Sequence, residues 1–327
     1  MSIRDVVRRN RPRVWSSSRR SLMERCPRAW ALRYGHRRGR SGNAGRMLSM
    51  VSDWRSPWDL MLRSLRSLII ERLEACLIGI KWNDSDIEVK MRERIKEMFD
   101  EQDDALQLVE KRIGSNSELR TSQERAKIDD LVAVASHRFR RLMLMEPLHS
   151  IIRGKITDWE LVGRLNSVRR QGKDLYIAPD LIWRIGRVRF MLRFVMQGSR
   201  EMSENTRMEH SSMVAWSAGE LAESTNQTNK IVIEIIDWHR GRWHRTSFQP
   251  SSEEVDLAMT MIEYDLEAMD ELYQRLGPLT DLSMMPLASS KAVCRGCGHV
   301  DSCPGGKDLE RAKIEQSVIE MARCRTS

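Results

Sequence analysis

Four cysteines constrain this chain more than any other feature. Cys294, Cys297 and Cys303 lie in one run, Cys294-Arg-Gly-Cys297-Gly-His-Val-Asp-Ser-Cys303, and Cys26 lies far upstream. Gly296 and Gly298 let the backbone wrap tightly there. Clustered cysteines without a secretory signal point to a metal centre and not to a disulfide framework. A fourth ligand from Cys26 would fasten the two ends of the chain together and enclose the rest as one domain. Zinc takes four thiolates tetrahedrally, with His299 as an alternative ligand. An iron–sulfur cluster takes four cysteines. The spacing leaves both open, along with metal-free surface thiols. Cys76, in the apolar run Leu73–Ile80, reads as a buried core thiol, and Cys324 carries no role.

Charge is unevenly spread. The net charge is +9, yet residues 1–46 hold fourteen Arg and no Lys against Asp5 and Glu24, so that segment is +12 and the remainder −3. A concentrated arginine field suits phosphate, which guanidinium binds bidentately. Among these, Arg19, Arg20, Arg25 and Arg28 are the candidate nucleic-acid contacts. Phe (5) and Tyr (4) are scarce while Met (20) and Trp (10) abound. Met fills irregular gaps, which points to a helix-rich core. No apolar run reaches the roughly 18–20 residues of a membrane span, so the expectation is a cytoplasmic protein with no membrane partner.

Residues 1–15 read as a basic flexible arm, Ser16-Ser17-Ser18 as a helix cap, and Arg19–Tyr34 as a helix interrupted at Pro27. Gly35–Gly45 reads as a loop. Helical periodicity covers 47–80, divided at Pro57, then 84–113 and 121–145. After Pro147 the spacing predicts strands at 158–168, 174–183 and 187–196, a helix over 201–223, and a hairpin of 230–238 with 242–248 about Arg240-Gly241. Ser251-Ser252-Glu253-Glu254 opens a helix that Gly277-Pro278 ends, and a last helix starts near Lys307. This order predicts an α/β (α+β) fold, a mixed central sheet flanked by helices. Trp238 and Trp243 read as exposed aromatics that could stack on a strand of nucleic acid, or, more simply, as a cross-strand pair.

The set Ser17-x-Arg19…Cys26-Pro27-Arg28-x-Trp30-x-Leu32-x-Tyr34, with the distal Cys-x2-Cys-x5-Cys, resembles the iron–sulfur branch of the PD-(D/E)XK nuclease superfamily, which includes RecB-like and CRISPR-associated exonucleases. The resemblance covers roughly residues 16–304. It implies a restriction-endonuclease-like core with a large helical insertion, as one domain over 16–323: a helical part at about 47–146, a sheet core at about 156–276 and the knuckle at 294–303. It also implies a [4Fe-4S] cluster on Cys26, Cys294, Cys297 and Cys303 that staples the terminal segments, with Zn²⁺ as the alternative.

The same resemblance places the catalytic elements. Gly45–Ser49 has Ser where the family has His. Ala178-Pro179-Asp180 matches the Pro-Asp element. The next strand carries Phe194 and Met196 where the family has an acid and a lysine, and Ser212…Trp216 stands for Gln…Tyr. A second register, through Gly163–Asn166, also lacks a complete site. Asp180 is then the only catalytic position retained, and a lone carboxylate is a poor Mg²⁺ site. The implied function is a catalytically degenerate DNA-binding or accessory factor in DNA repair and processing, with DNA and a helicase or similar protein as partners. Mg²⁺ or Mn²⁺ enters only if the chain is still an active nuclease with relocated acids such as Glu201, Glu204 or Glu209. A structural zinc protein is the third reading.

Overall fold

The computed structural model describes residues 13–35, 55–113, 127–163, 165–198, 202–220, 230–276, 282, 284–295, 297, 299–300 and 303–324. The Gly45–Ser49 element, most of the basic arm and of the loop after Gly35, Glu201, and the Gly277-Pro278 stop lie outside the described residues.

In chain order the elements are β1 (Arg13–Ser16), α1 (Ser17–Arg25), α2 (Pro27–Trp30) running into a π-helical turn, α3 (Pro57–Leu77), α4 (Ile87–Ile113), α5 (Ile128–Met143), α6 (Leu148–Ile152), β2 (Trp159–Leu161), β3 (Val168–Arg170), β4 (Lys173–Tyr176), β5 (Leu181–Ile185) and β6 (Val188–Val195). There follow α7 (Glu204–Glu220), β7 (Lys230–His239), β8 (Arg242–Phe248), α8 (Ser252–Arg275), α9 (Lys291–Arg295), α10 (Pro304–Lys307) and α11 (Leu309–Cys324). The mixed α/β character expected from sequence is present.

The chain divides into two compact units, one of residues 1–17, 61–96 and 127–266, the other of residues 18–60, 97–126 and 267–327. The first unit holds both sheets. Five strands run in the order β2-β5-β6-β7-β8, antiparallel except for the parallel pair β6–β7. A smaller sheet has the order β1-β4-β3. Ile233, Ile235 and Ile236 of β7 are buried, each stabilising by roughly 2 kcal/mol on area grounds. On one face of the large sheet lies α5, whose Arg138 carbonyl accepts from the Trp243 indole at 2.8 Å.

Local chemistry explains several boundaries. Ser251 Oγ accepts from the Glu254 amide at 3.1 Å while the Glu254 carboxylate accepts from the Ser251 amide at 2.9 Å, a reciprocal cap on α8. Arg240 and Gly241 both take positive φ (48° and 76°), the two-residue turn whose twist matches a hairpin.

Three strand expectations need correction. The run 158–168 is split, its ends going to β2 and β3 in different sheets. The run 174–183 is broken by Ile177–Asp180, so Ala178-Pro179-Asp180 precedes β5 instead of lying on a strand. Residues 13–15, assigned to the flexible arm, form most of β1. Its Trp15 is fully buried, aligned with Leu175 and donating to the Asp265 carboxylate at 2.8 Å.

Candidate cysteine centre and sheet site

The second unit contains all four candidate ligands. Cys26 caps α2: its thiol accepts from the Ala29 amide at 3.4 Å, and Pro27, at the first helical position, restarts the helix where an amide proton is not needed. Cys294 lies in α9. Beyond it, successive backbone bonds wind the knuckle: Cys297 N–H to the Cys294 carbonyl (3.1 Å), Val300 to Cys297 (3.2 Å), Cys303 to His299 (3.0 Å) and Gly306 to Cys303 (2.8 Å). Cys297 Sγ accepts from the His299 amide at 3.4 Å. Cys26 and Cys294 are buried in one apolar cluster with Leu287, Ala288, Leu309 and Ala312.

Polar bonds hold the same terminal segments together. Ser289 N–H donates to the Arg25 carbonyl at 2.9 Å, and Arg28 Nε to the Met285 carbonyl at 2.9 Å. Tyr273 Oη donates to the Tyr34 carbonyl at 3.0 Å.

The described cysteines, Cys26, Cys76, Cys294, Cys297 and Cys303, are free thiols. Burial pushes the Cys26 thiol above its ordinary pKa; the Ala29 amide opposes this, and would-be thiolates at Cys297, Cys303 and Cys294 add to it. Cys294 and Cys297 are raised too, burial leading in each, with Cys303 contributing to both. The four sulfurs therefore lie within electrostatic reach of one another. Among the described residues, however, no group of three or more His, Cys, Asp or Glu is arranged to hold a metal ion. These observations differ in scale: charge acts over several ångströms, whereas a tetrahedral zinc draws its sulfurs to within about 3.8 Å of one another. Cys76 is half-buried and not a core thiol, because Leu77, Ile78 and Ile80 after it face solvent.

The four candidate arginines are not equivalent. Arg25 is exposed, with its Nε on the Ser21 carbonyl. Arg20 pairs with Glu24 at 2.9 Å, and the Arg19 guanidinium lies 4.4 Å from the centre of the Tyr34 ring. Arg28 is buried, and its bond to Met285 gives it a structural role instead of a phosphate contact. Trp238 and Trp243 are also buried. They form the cross-strand pair, with ring centres 5.3 Å apart and edge-on, and no exposed stacking platform.

Asp180 belongs to the first unit and is fully buried. Its amide donates to the Leu192 carbonyl at 2.7 Å, and its own carbonyl accepts from Val162 at 3.1 Å. Oδ2 accepts from the Phe194 amide at 2.7 Å, and Oδ1 forms an ion pair with Arg66 of α3. The sequence alignment set Phe194 in the acid position, but alternation along β6 puts the Phe194 and Arg193 side chains on opposite faces. His210 of α7 is subject to the charges of both Arg193 and Asp180. Arg193 Nη2 donates to the Ala178 carbonyl at 2.6 Å.

His210 is buried, its Nδ1 has no hydrogen-bond partner, and its pKa is lowered to about 3 by burial first and Arg193 second, with Asp180 opposing. Nothing in its sequence context distinguished it. Met196 offers its carbonyl to Arg138 Nη1 at 3.2 Å. Ser212 and Trp216 are buried on α7, and Glu204 is exposed in its first turn. The alternative register falls in a turn, with the Asn166 amide bonded to the Gly163 carbonyl at 2.8 Å.

No family model matches this chain, and no solved structure matches it. The chain is similar to the methylamine utilization protein MauJ of Paracoccus versutus, at 34% identity over 61 residues. That stretch is 19% of this chain and 21% of MauJ, so the chain spans about a fifth of the length of the curated relative it matches. No helix among the described residues is long and apolar enough to cross a membrane.

Proposed function

We propose that this chain is an iron–sulfur-stapled, nuclease-like protein that no longer hydrolyses nucleic acid and serves as a DNA-binding or accessory factor in DNA processing, alongside a helicase or similar partner. The observation that carries the loss of hydrolysis is the state of Asp180. Both carboxylate oxygens are engaged inside the protein, one by the Phe194 amide and one by Arg66. A catalytic divalent ion requires open carboxylate oxygens, and these residues do not fit one.

Two features support the staple. Cys26 and Cys294 share a buried cluster, and Cys297 and Cys303 lie within electrostatic reach of Cys26. Four thiolates there would hold a [4Fe-4S] cluster, whose role is to lock the terminal segments. Zinc on the same cysteines is the alternative. The mixed five-stranded sheet is compatible with a restriction-endonuclease-like core. The arginine-rich start of the chain supplies the charge for phosphate contact.

The test uses full-length protein purified anaerobically, with labelled single- and double-stranded DNA. The expected result is binding that weakens as salt rises, and intact DNA in Mg²⁺ or Mn²⁺. Cleavage that disappears in Asp180→Ala would overturn the degenerate-site reading, and absence of binding at low salt would overturn the DNA-binding one.

A further inference from the structure

We propose that Arg66 is the built-in cation of the sheet site: its guanidinium takes the place of a divalent ion beside Asp180, and so closes the site to metals. The inference deepens the degenerate-nuclease reading and rests on it.

A buried carboxylate needs a counter-charge. Here helix α3 supplies one. Arg66 pairs with Asp180 Oδ1, and its Nη1 donates to the Phe194 carbonyl at 3.3 Å. Phe194 in turn gives its amide to Asp180 Oδ2 at 2.7 Å. The arginine therefore bridges the carboxylate before β5 and the backbone of β6, which is where an ion coordinated by residues of both strands would lie. The Arg66 side chain is 17% exposed and that of Asp180 not at all, so water screens the pair weakly. Arg193, itself buried, adds a second positive charge on this side. Mg²⁺ would have to displace a fixed cation while approaching another, for the sake of one carboxylate whose oxygens are already engaged.

The consequence is specific. Trimming Arg66 removes the charge paired with Asp180 Oδ1 and leaves a hole of guanidinium size beside the carboxylate, and small cations should then refill it. Thermal melting of the full chain would be compared for wild type, Arg66→Ala, Arg66→Lys and the double variant Arg66→Ala/Asp180→Asn, with and without millimolar MnCl₂ or guanidinium. Arg66→Ala is expected to lower Tm by about 10 °C. The double variant should recover more than half of that loss, and Arg66→Lys should fall between. Either added cation should raise Tm of Arg66→Ala and leave wild type unmoved. If Arg66→Ala fails to fold while the double variant folds, the charge argument is supported.

Two results overturn the proposal: wild type stabilised by Mn²⁺ by several degrees, or Arg66→Ala melting like wild type. The wild-type titration decides the matter even if no variant folds. Because the readout is stability, it can fail while the DNA-binding result stands, and the reverse also holds.

Discussion

Replacing His210 should remove a defined part of the acid sensitivity of this fold. The imidazole is buried on α7 with Nδ1 unpartnered, and its pKa falls from 6.5 to about 3 because burial and the nearby Arg193 penalise its charged form. The unfolded chain binds a proton there below about pH 6.5, whereas the folded chain stays neutral until about pH 3. Stability is therefore full above pH 6.5 and is lost as pH falls between those two values, since the unfolded state binds more protons. Each pH unit in that window costs about 1.4 kcal/mol. The cost reaches about 2 kcal/mol at pH 5.

His210→Gln keeps a polar side chain of similar size without the titration. Urea unfolding of wild type and variant at pH 7.5 and pH 5.0 isolates this group, because every other titrating group cancels in the difference. The variant should lose about 2 kcal/mol less than wild type over that interval. Equal losses would refute the burial argument, and a larger loss in the variant would reverse its sign.

Two further outcomes follow from other contacts. Glu234 is fully buried on β7 and takes Nε of Arg245 at 2.8 Å, so Arg245→Ala should cost about 3–5 kcal/mol in chemical denaturation. Arg245→Ala combined with Glu234→Gln should recover part of that loss, and an additive double variant would show that the pair does not act as one. An added Cβ at Gly306 would collide with the Val300 carbonyl oxygen of the cysteine loop. Gly306→Ala should therefore lower the melting temperature and disturb the cysteine loop, and an unchanged melt would show that the loop shifts freely.

The long amphipathic helices α3, α4 and α8 were legible in the sequence because their apolar spacing is local, and α8 also because of its Ser251-Ser252-Glu253-Glu254 cap. The β7–β8 hairpin was legible for the same reason, with Arg240-Gly241 marking its turn. Strand β1 was hidden among arginines, and only its parallel alignment with distant β4 makes it a strand. The broken runs at 158–168 and 174–183 alternate well enough to read as single strands, and pairing to two different sheets divides them. Site legibility followed the same rule. The cysteine spacing raised the expectation of a centre, which no group among the described residues assembles, and did not show that Arg28 would turn inward to the Met285 carbonyl. The Pro-Asp motif located Asp180, whereas its partner Arg66 sits on a helix with nothing in the local pattern to set it apart. The resemblance set Phe194 in the acid position, and its spacing did not show that the Phe194 amide would hold Asp180 Oδ2.

The central claim is that the terminal segments are stapled by an iron–sulfur cluster, and metal analysis of anaerobically purified full-length protein tests it most directly. The account predicts a brown protein with broad visible absorption and about four irons and four sulfides per chain, lost in Cys294→Ser together with much of the thermal stability. A colourless protein with stoichiometric zinc, or a metal-free protein as stable as its Cys294→Ser variant, would contradict it.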